Sequence, residues 1–509
     1  MAMAGEKAQT FAKNMGNLGF RISQWLTLGI VLLVLGGCQL QGHPDELSRI
    51  HLTFWHGVNP PHNRNVLEEL VDQFNRQHPH IQVTSLYVGQ EDQQTPKILA
   101  SVVGNVPPDM LWFNPTLTGQ LVELNAIRPL DDLLATSSVK GEIDPALFES
   151  MQFSGHIWSV PFGTNNAGIF YRPSLFKTAG ITQLPKTWEE LRQVAKKLTG
   201  DFDGDGRVDR HGILLPLGKG EWTVFMWLPF MWSGGGELIT GGMGRDDLLL
   251  TDSLRLATHS DPPQPPLKNG GRKMTSTSIG QVEENENKSS ATVPNVPQSP
   301  VSSGINLVNP GAIAALQFWH DLMKDGSAIL SLPERGYEMD GFLAGKVAMQ
   351  FSGPWTLGQL QATDVDFNVF PMPSAAQQAT VIGGENLFLF KTTPERERAA
   401  FTFAEYVMGQ EFQTQWAMRT GYLPINLKAR QSEDYQAFVQ QQPIIKVFLE
   451  QAQFGRSRPI LNGYSRLSEH LGRAIEAVLL DKSSPKQALE KAQRQLSLIF
   501  RSVNTGESN

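Results

Sequence analysis

The sequence has very few of the residues that several protein classes require. A single cysteine, Cys38, among 509 residues excludes a disulfide framework and any zinc site built from cysteines. Lys and Arg number 43 against 50 Asp and Glu, and a formal net charge of −7 argues against a nucleic-acid-binding protein. Hydrophobic residues still make up 40% of the chain, so the sequence predicts folded lobes, at least two at this length.

Long apolar runs are also missing, apart from one near the N-terminus. Residues 25–35 are apolar and uncharged, they follow three basic residues, and they are too short for a bilayer span of about 20 residues. This order predicts a secretory signal over residues 1–37 and a tether over 38–47. L-G-G-C, ending at Cys38, resembles the lipobox of bacterial lipoproteins, in which the cysteine carries lipid. An ordinary cleaved signal or a signal anchor is the alternative.

Strand-like and helix-like segments alternate along the rest of the chain. Residues 49–55 alternate polar and apolar side chains, whereas residues 66–76 have apolar side chains at helical spacing. Thr187 and Glu190 form a capping-box pattern at the start of a predicted helix over 188–199. The alternation predicts an α/β fold with a mostly parallel sheet.

Residues 251–303 differ in composition from the rest of the chain. They are rich in Pro, Ser, Thr, Asn, Gln and Gly and contain no Phe, Trp or Tyr. Such a segment buries too little apolar surface to offset the entropy of ordering it. We expect a disordered insertion in a loop, and a partner-binding segment is the alternative.

A short acidic loop, D-F-D-G-D-G-R-V-D, follows the predicted helix. Its carboxylates and its central glycine have the spacing of an EF-hand-type calcium loop. The twelfth position is Gly212 instead of the glutamate that such loops use. The sequence predicts a structural calcium ion and no catalytic cofactor, and the expected ligands are Asp201, Asp203, Asp205, the carbonyl oxygen of Arg207, and Asp209.

Several motifs in a fixed order carry a family resemblance. They include T-F-W-H-G at 53–57, P-P-D-M-L-W-F at 107–113, P-K-T-W-E-E-L at 185–191 and F-L-A-G-K-V-A-M-Q-F-S-G-P-W at 342–355. Together they resemble the sugar-binding class of bacterial ABC-transporter solute-binding proteins, of the maltose and multiple-sugar type.

The resemblance implies a type II periplasmic-binding-protein fold. In that fold two α/β lobes enclose an interlobe ligand cleft, and several hinge crossovers connect them. One lobe would comprise residues 48–157 and 378–422, and the other residues 158–377 and 423–505.

The implied function is reversible binding of a sugar or oligosaccharide, which is then delivered to the transmembrane permease subunits of an ABC importer. The protein would not be an enzyme. It would lie in the periplasm or on the extracytoplasmic face of a bacterial membrane, held by the lipid on Cys38.

A sugar site needs aromatic faces against the C–H surfaces of the ring and polar groups against its hydroxyls. Five of the 11 tryptophans are assigned to core packing: Trp112, Trp188, Trp227, Trp319 and Trp416. The candidate ligand-binding residues are Trp55, His56, Asn114, Asn165, Glu221, Trp222, Trp232, Trp355, Glu385 and Tyr422.

Three other functions remain open from the sequence. An extracytoplasmic glycoside hydrolase would need two carboxylates across the cleft. A binder of a polyamine or iron would need several acids, and only Glu221 and Glu385 are candidates. A surface adhesion or scaffold lipoprotein would use the insertion at 251–303.

Overall fold

The computed structural model describes residues 49–145, 147, 150–218, 220–239, 304–332 and 339–505. The predicted signal peptide, the tether with Cys38 and the insertion at 251–303 lie outside these residues, so the expectations about them stay predictions. Within the described ranges, no helix is both long enough and apolar enough to cross a membrane.

Contacts divide the chain into two units. The described residues of the smaller unit are Arg49, Ile50 and Pro79–Gln82. In it, Nε of Arg49 donates a hydrogen bond to the carbonyl oxygen of Pro79 at 2.9 Å. Apart from the strand residues Ile50, Ile81 and Gln82, the packing and the sites described below lie in the larger unit, which comprises His51–His78 and continues from Val83.

The first sheet has five strands and combines the start of the chain with a late segment. Ile50–His56 runs parallel to Met110–Phe113. Asn386–Leu389 lies antiparallel between Met110–Phe113 and Ser159–Pro161. The order across the sheet is Ile81–Tyr87, Ile50–His56, Met110–Phe113, Asn386–Leu389, Ser159–Pro161.

Both faces of the first sheet are apolar. On one side Leu111 and Phe388 belong to a buried cluster with Ile98 and Leu121. On the other side the ring of Phe54 lies 6.1 Å from that of Phe162 and 5.5 Å from that of Phe403. The strands of a sheet that is buried on both faces are apolar along their whole length, and M-L-W-F at 110–113 is such a strand.

The second sheet is also mixed and has five strands. Val347–Ser352 runs parallel to His211–Leu215 and antiparallel to Gly168–Tyr171. Its order is Ala328–Leu330, His211–Leu215, Val347–Ser352, Gly168–Tyr171, Asn368–Phe370.

The helix Glu221–Ser233 packs in the core beside the second sheet and is buried all round, apart from Trp222. A helix that is apolar on every side can be stable only when it is enclosed by other elements.

The predicted capping box is confirmed at the start of the helix Trp188–Leu198. Oγ1 of Thr187 accepts from the backbone N–H of Glu190, and Oε2 of Glu190 accepts from the backbone N–H of Thr187.

A small third sheet lies where the chain passes between the two large ones. Thr380–Gly383 pairs parallel with Gly455–Ser457 and antiparallel with Asn165–Asn166. Asn165–Asn166 connects a strand of the first sheet to one of the second, and Thr380–Gly383 leads back to the first. The crossing segments therefore hydrogen-bond to one another, and the predicted two-lobe α/β fold is confirmed. A separate two-stranded hairpin joins Gln152–Phe153 to His156–Ile157.

The first sheet extends beyond the predicted end of the first lobe at residue 157, because Ser159–Pro161 pairs with Asn386–Leu389. The other lobe boundaries stay predictions.

The α-helices of the described ranges are Pro61–Gln77, Glu91–Val103, Thr118–Glu123, Asp131–Thr136, Pro173–Thr178, Trp188–Leu198, Glu221–Ser233, Pro310–Lys324, Asp340–Leu343, Leu357–Gln361, Pro394–Met408, Gln410–Thr420, Leu427–Gln431, Glu433–Gln441, Pro443–Gln451, Tyr464–Leu479 and Pro485–Thr505.

Candidate functional site

A cavity of about 130 Å³ lies beside the third sheet and is lined from both large sheets. The first sheet contributes residues that follow its strands, and the second lobe contributes the start of the helix Glu221–Ser233 and the turn Pro354–Thr356. Seven of the ten predicted ligand-binding residues line it: Asn114, Asn165, Glu221, Trp222, Trp355, Glu385 and Tyr422.

Three aromatic rings form one wall of the cavity. The ring centroids of Trp222 and Trp355 are 6.1 Å apart and their planes meet at 72°. Phe225 stacks beside Trp222, with centroids 6.3 Å apart and planes at 14°. A side chain at Gly353 would collide with the indole of Trp355, so the glycine lets that ring fold back over the backbone. Both tryptophans are partly exposed, which leaves apolar surface for a ligand.

Two buried polar groups in the cavity lining have no hydrogen-bond partner. Asn165 is 3% exposed and its Oδ1 is unpaired, and Nε1 of Trp112, which is 7% exposed, is unpaired as well. Leaving such a group unsatisfied costs about 1–3 kcal/mol. One is an acceptor and the other a donor, so both kinds of partner that a hydroxyl group can offer are missing in the lining. Asn114 has a structural role too, since its Oδ1 accepts from the backbone N–H of Thr116 at 3.1 Å.

Two consecutive glycines bring the backbone close to this part of the lining. Gly384 has φ +132°, and a Cβ there would collide with the carbonyl oxygen of Gly163. A Cβ at Gly383 would lie 2.8 Å from the ring of Phe225 and would collide with Oδ1 of Asn165. The G-G-E sequence is therefore needed at this close approach between the third sheet and the aromatic wall.

A buried ion pair lies at the cavity. Nη1 of Arg458 donates to Oε1 of Glu221 at 2.7 Å, and both side chains are less than one-tenth exposed. The hydroxyl of Tyr464 donates to the same oxygen at 2.9 Å, and Ser468 donates to the other oxygen. The guanidinium carbon of Arg458 lies 4.8 Å from the ring centroid of Phe225. Hydrogen bonds to both of its oxygens hold the carboxylate of Glu221 in one position. The guanidinium of Arg458 is paired with the charge of that carboxylate.

Glu385 is the second acidic residue of the lining. Burial raises its pKa to about 7, while the charge of Arg458 and a hydrogen bond from Tyr422 act in the opposite direction. The hydroxyl of Tyr422 donates to Oε2 of Glu385 at 3.2 Å. Burial and the neighbouring carboxylate also raise the pKa of Tyr422, so the phenol keeps its proton.

Three predicted ligand-binding residues do not line the cavity. Trp232 is 2% exposed within the core of the second lobe, ten residues beyond Trp222 on the same helix. Trp55 packs against the apolar cluster beside the first sheet. His56 is 1% exposed, and burial together with the charge of Arg64 lowers its pKa to about 4. For Trp232 the sequence itself indicates packing, because a helix apolar on every side predicts burial.

Sequence reasoning also missed several residues of the lining. Trp112 had been assigned to packing, yet it borders the cavity, whereas Trp227, Trp319 and Trp416 are fully buried as predicted. Arg458 belongs to no recognisable motif, and only its contact with Glu221 identifies it. The lining residues outside the predicted ligand-binding set are Gly57, Asn59, Gln90, Gln94, Trp112, Phe113, Phe225, Gly383, Gly384 and Arg458.

The acidic loop brings together three of its four predicted carboxylates. Oxygen atoms of Asp201, Asp203 and Asp209 lie within 4.8 Å of one another, and all three residues are exposed. Backbone N–H groups of the loop lower the pKa of Asp201. Asp205 lies outside this group, and its Oδ1 accepts from the backbone N–H of Arg207 at 2.8 Å. The calcium ligands stay a prediction.

Two α/β lobes with connecting strands and a cavity beside them define the type II periplasmic-binding-protein class. A family model described as bacterial extracellular solute-binding protein matches residues 69–443. The chain belongs to the bacterial extracellular solute-binding protein family.

Curated relatives match over nearly the whole chain. The sn-glycerol-3-phosphate-binding periplasmic protein UgpB of Pectobacterium atrosepticum is 21% identical over 471 residues, which cover 88% of this chain and 91% of that protein. UgpB of Escherichia coli strain K12 is 21% identical over 484 residues, covering 91% of this chain and 95% of that protein.

Solved structures share the fold at low sequence identity. The GacH receptor of Streptomyces glaucescens, solved unliganded and with acarbose, has a TM-score of 0.68 at 18% identity and covers 89% of this chain and 99% of its own. UgpB of Mycobacterium tuberculosis, in complex with glycerophosphocholine, has a TM-score of 0.68 at 17% identity and covers 89% and 98%. Maltose-bound MalE3 of T. maritima has a TM-score of 0.68 at 18% identity and covers 88% and 100%.

The raised pKa of Glu385 predicts a specific pH dependence of stability. Its folded-state pKa is about 7 against 4.5 in the unfolded chain, so between these values the folded protein holds a proton that the unfolded chain releases. The free energy of unfolding should therefore fall as pH rises through this window. Replacing Glu385 by Gln should remove about 3 kcal/mol of that fall. Denaturant unfolding of both proteins from about pH 4.5 to 8 measures it. Identical pH profiles would contradict the assignment.

Proposed function

We propose that this protein binds a carbohydrate reversibly in the cavity and delivers it unaltered to the permease of an ABC importer. One observation carries the proposal: the partly exposed rings of Trp222 and Trp355 line the same cavity as Asn165 and Trp112, whose Oδ1 and Nε1 are unpaired. Indole faces complement the C–H surfaces of a sugar ring, and its hydroxyls both donate and accept hydrogen bonds. Relatives of similar fold that bind acarbose or maltose support this ligand class.

A phosphorylated polyol is the second candidate. It is favoured by the sn-glycerol-3-phosphate-binding relatives and by the presence of Arg458 in the lining. The pairing of Arg458 with Glu221 supports the uncharged ligand instead, because a phosphate would have to compete with a carboxylate that is already in contact with the guanidinium.

Binding without turnover is supported by the hydrogen bonds that already engage Glu221, one of the two acids of the lining. Glu221 accepts from Arg458, Tyr464 and Ser468, so its oxygens are engaged within the protein. A glycoside hydrolase needs one carboxylic acid and one carboxylate, both directed at the scissile bond. Arg458 offsets one of the two acids, so the lining lacks the several uncompensated acids that a polyamine would require.

Replacing Trp355 by Ala should weaken carbohydrate binding by about 1 kcal/mol or more, because an aromatic face of the ligand site is lost. Isothermal titration calorimetry with a panel that includes maltose, alongside an assay for products, measures affinity and turnover together. Trp55→Ala is the matched control: Trp55 is also partly exposed but lies outside the cavity lining, so its affinity should stay within about twofold of wild type. An unchanged affinity in the folded Trp355→Ala protein would contradict the site.

We further propose that lipid on Cys38 anchors the protein outside the cytoplasmic membrane. The extracellular family and the periplasmic relatives support an extracytoplasmic location. Acyl chains add about 0.8 kcal/mol of membrane affinity per buried CH₂.

Replacing Cys38 by Ala should move the protein from the membrane fraction to the soluble fraction in a bacterium that processes lipoproteins. Intact mass should show the acyl chains on the wild-type protein alone. A wild-type protein of unmodified mass in the soluble fraction would contradict the anchor.

We also propose that calcium occupies the acidic loop and stabilises it. Convergence of Asp201, Asp203 and Asp209 supports the site, since uncompensated carboxylates this close repel one another.

Calcium should raise the melting temperature and a chelator should lower it. A ligand at a hundred times its dissociation constant contributes about 2.7 kcal/mol. Differential scanning calorimetry measures the shift, and Asp203→Asn should reduce it. Superimposable melting curves with calcium and with chelator would show that the loop binds no calcium.

A further inference from the structure

We propose that Glu221 sets the charge selectivity of the cavity: by occupying Arg458, it makes the site reject anionic ligands and accept uncharged polyols. The inference deepens the proposed function and rests on it for the uncharged class. It assigns to Glu221 a positioning role that acts through the arginine.

Glu221 and Arg458 both belong to the cavity lining and form a direct ion pair. Nη1 of Arg458 lies 2.7 Å from Oε1 of Glu221, and the two side chains are 6% and 7% exposed. A charge pair this deeply buried is weakly screened, so its attraction is much stronger than that of a surface pair. An anionic ligand that approaches the guanidinium of Arg458 is therefore repelled by the carboxylate of Glu221, which already occupies that position.

The carboxylate of Glu221 is held by two further hydrogen bonds besides that from the arginine. Tyr464 and Ser468, both on the helix Tyr464–Leu479, donate to its two oxygens. Glu221 is itself the first residue of the helix Glu221–Ser233. Three donors on two elements mean that swinging the carboxylate aside to admit a phosphate would break three hydrogen bonds.

The charge balance of the lining is fixed by few groups. Among its described residues, Arg458 is the one Lys or Arg, and Glu221 and Glu385 are the acids. Arginine stays protonated at all ordinary pH values. The described lining thus carries a net charge of zero when Glu385 is protonated and minus one when it is ionised. Glutamine at position 221 keeps the shape of the side chain and raises this net charge by one.

The matched control is a second glutamate–arginine pair in the same lobe. Both oxygens of Glu237 accept from the guanidinium of Arg456, which lies over the ring of Trp232. Neither Glu237 nor Arg456 lines the cavity. Glu237→Gln therefore makes the same chemical change to a glutamate–arginine pair that is more exposed, at 38% and 14%, without changing the charge in the cavity. The arginine of this pair lies two residues before Arg458 in the sequence.

The experiment measures binding of sn-glycerol 3-phosphate, as the anionic probe, and of maltose, as the neutral probe, by calorimetry at low salt. The proteins are wild type, Glu221→Gln, Glu237→Gln and the double variant Glu221→Gln with Arg458→Met. We expect Glu221→Gln to bind the anion at least tenfold more tightly than wild type does, or about 1.4 kcal/mol. The ratio of anion to maltose affinity should rise with it. Glu237→Gln should match wild type for the anion, and the double variant should lose the gain.

Several outcomes would overturn the proposal. They are a folded Glu221→Gln protein whose anion affinity stays near that of wild type, a gain that survives in the double variant, and an equal gain in Glu237→Gln. If Glu221→Gln does not fold, Glu221→Asp decides, because it retracts the carboxylate by one methylene. It should give a smaller gain in anion affinity, and no gain would overturn the proposal.

Failure of the selectivity proposal can be told from failure of the proposed function. Heat with a carbohydrate in the wild-type protein, but no anion gain in Glu221→Gln, rejects the selectivity role alone. An anion gain in Glu221→Gln, with no carbohydrate heat in any protein, supports the role of Glu221 and rejects the carbohydrate.

Discussion

The pairing of Asn386–Leu389 between Met110–Phe113 and Ser159–Pro161 is the constraint on which the cavity depends. It brings a late segment of the chain back into a sheet that the first part of the chain began. The residues just before this strand are thereby fixed, and they include Gly383, Gly384 and Glu385 of the lining. Ladder hydrogen bonds on both edges of the strand leave these residues little freedom to move independently of the first sheet.

The cavity combines groups that are costly to bury with groups that remain unpaired. Glu221 and Arg458 offset each other's charge, while Asn165 and Trp112 each leave one polar atom without a partner. Replacing a buried ion pair by apolar groups is often neutral for stability, so the pair is weak evidence for a stabilising role. The unpaired atoms cost free energy in the folded protein, because their hydrogen bonds with water are lost and not replaced.

The helix Glu221–Ser233 shows how closely binding and packing residues are interleaved. Trp222 and Phe225 border the cavity, whereas Trp227 and Trp232 lie in the core of the second lobe. All four residues have the same local surroundings in the sequence, an apolar stretch with no polar face. Composition predicted that the segment contains ligand-binding tryptophans, but it could not separate them, because the separation depends on which end of the helix reaches the cavity.

The sequence also could not separate binding from packing residues in the strands of the first sheet, for a different reason. A strand buried on both faces has no polar alternation, so M-L-W-F at 110–113 gives no sign of which side chain meets the cavity. Trp112 reaches it through the position of the strand in the sheet. Trp55, in the adjacent strand, packs instead against the cluster around Leu111 and Phe113. Aromatic content therefore did not identify which aromatic side chains border the cavity.

The sequence alone determined the α/β class through periodicity and caps, which are local properties of the linear chain. The order of its motifs resembles the solute-binding family, and that resemblance implied the two-lobe architecture. It also indicated Trp355, Asn165 and Glu385, which stand beside glycines or at strand ends. Only the tertiary structure decided that Arg458 meets Glu221 across 237 positions of sequence. That contact needs the helix Tyr464–Leu479 packed against the start of the helix Glu221–Ser233, and charge pairing at such a separation leaves no trace in the spacing of residues.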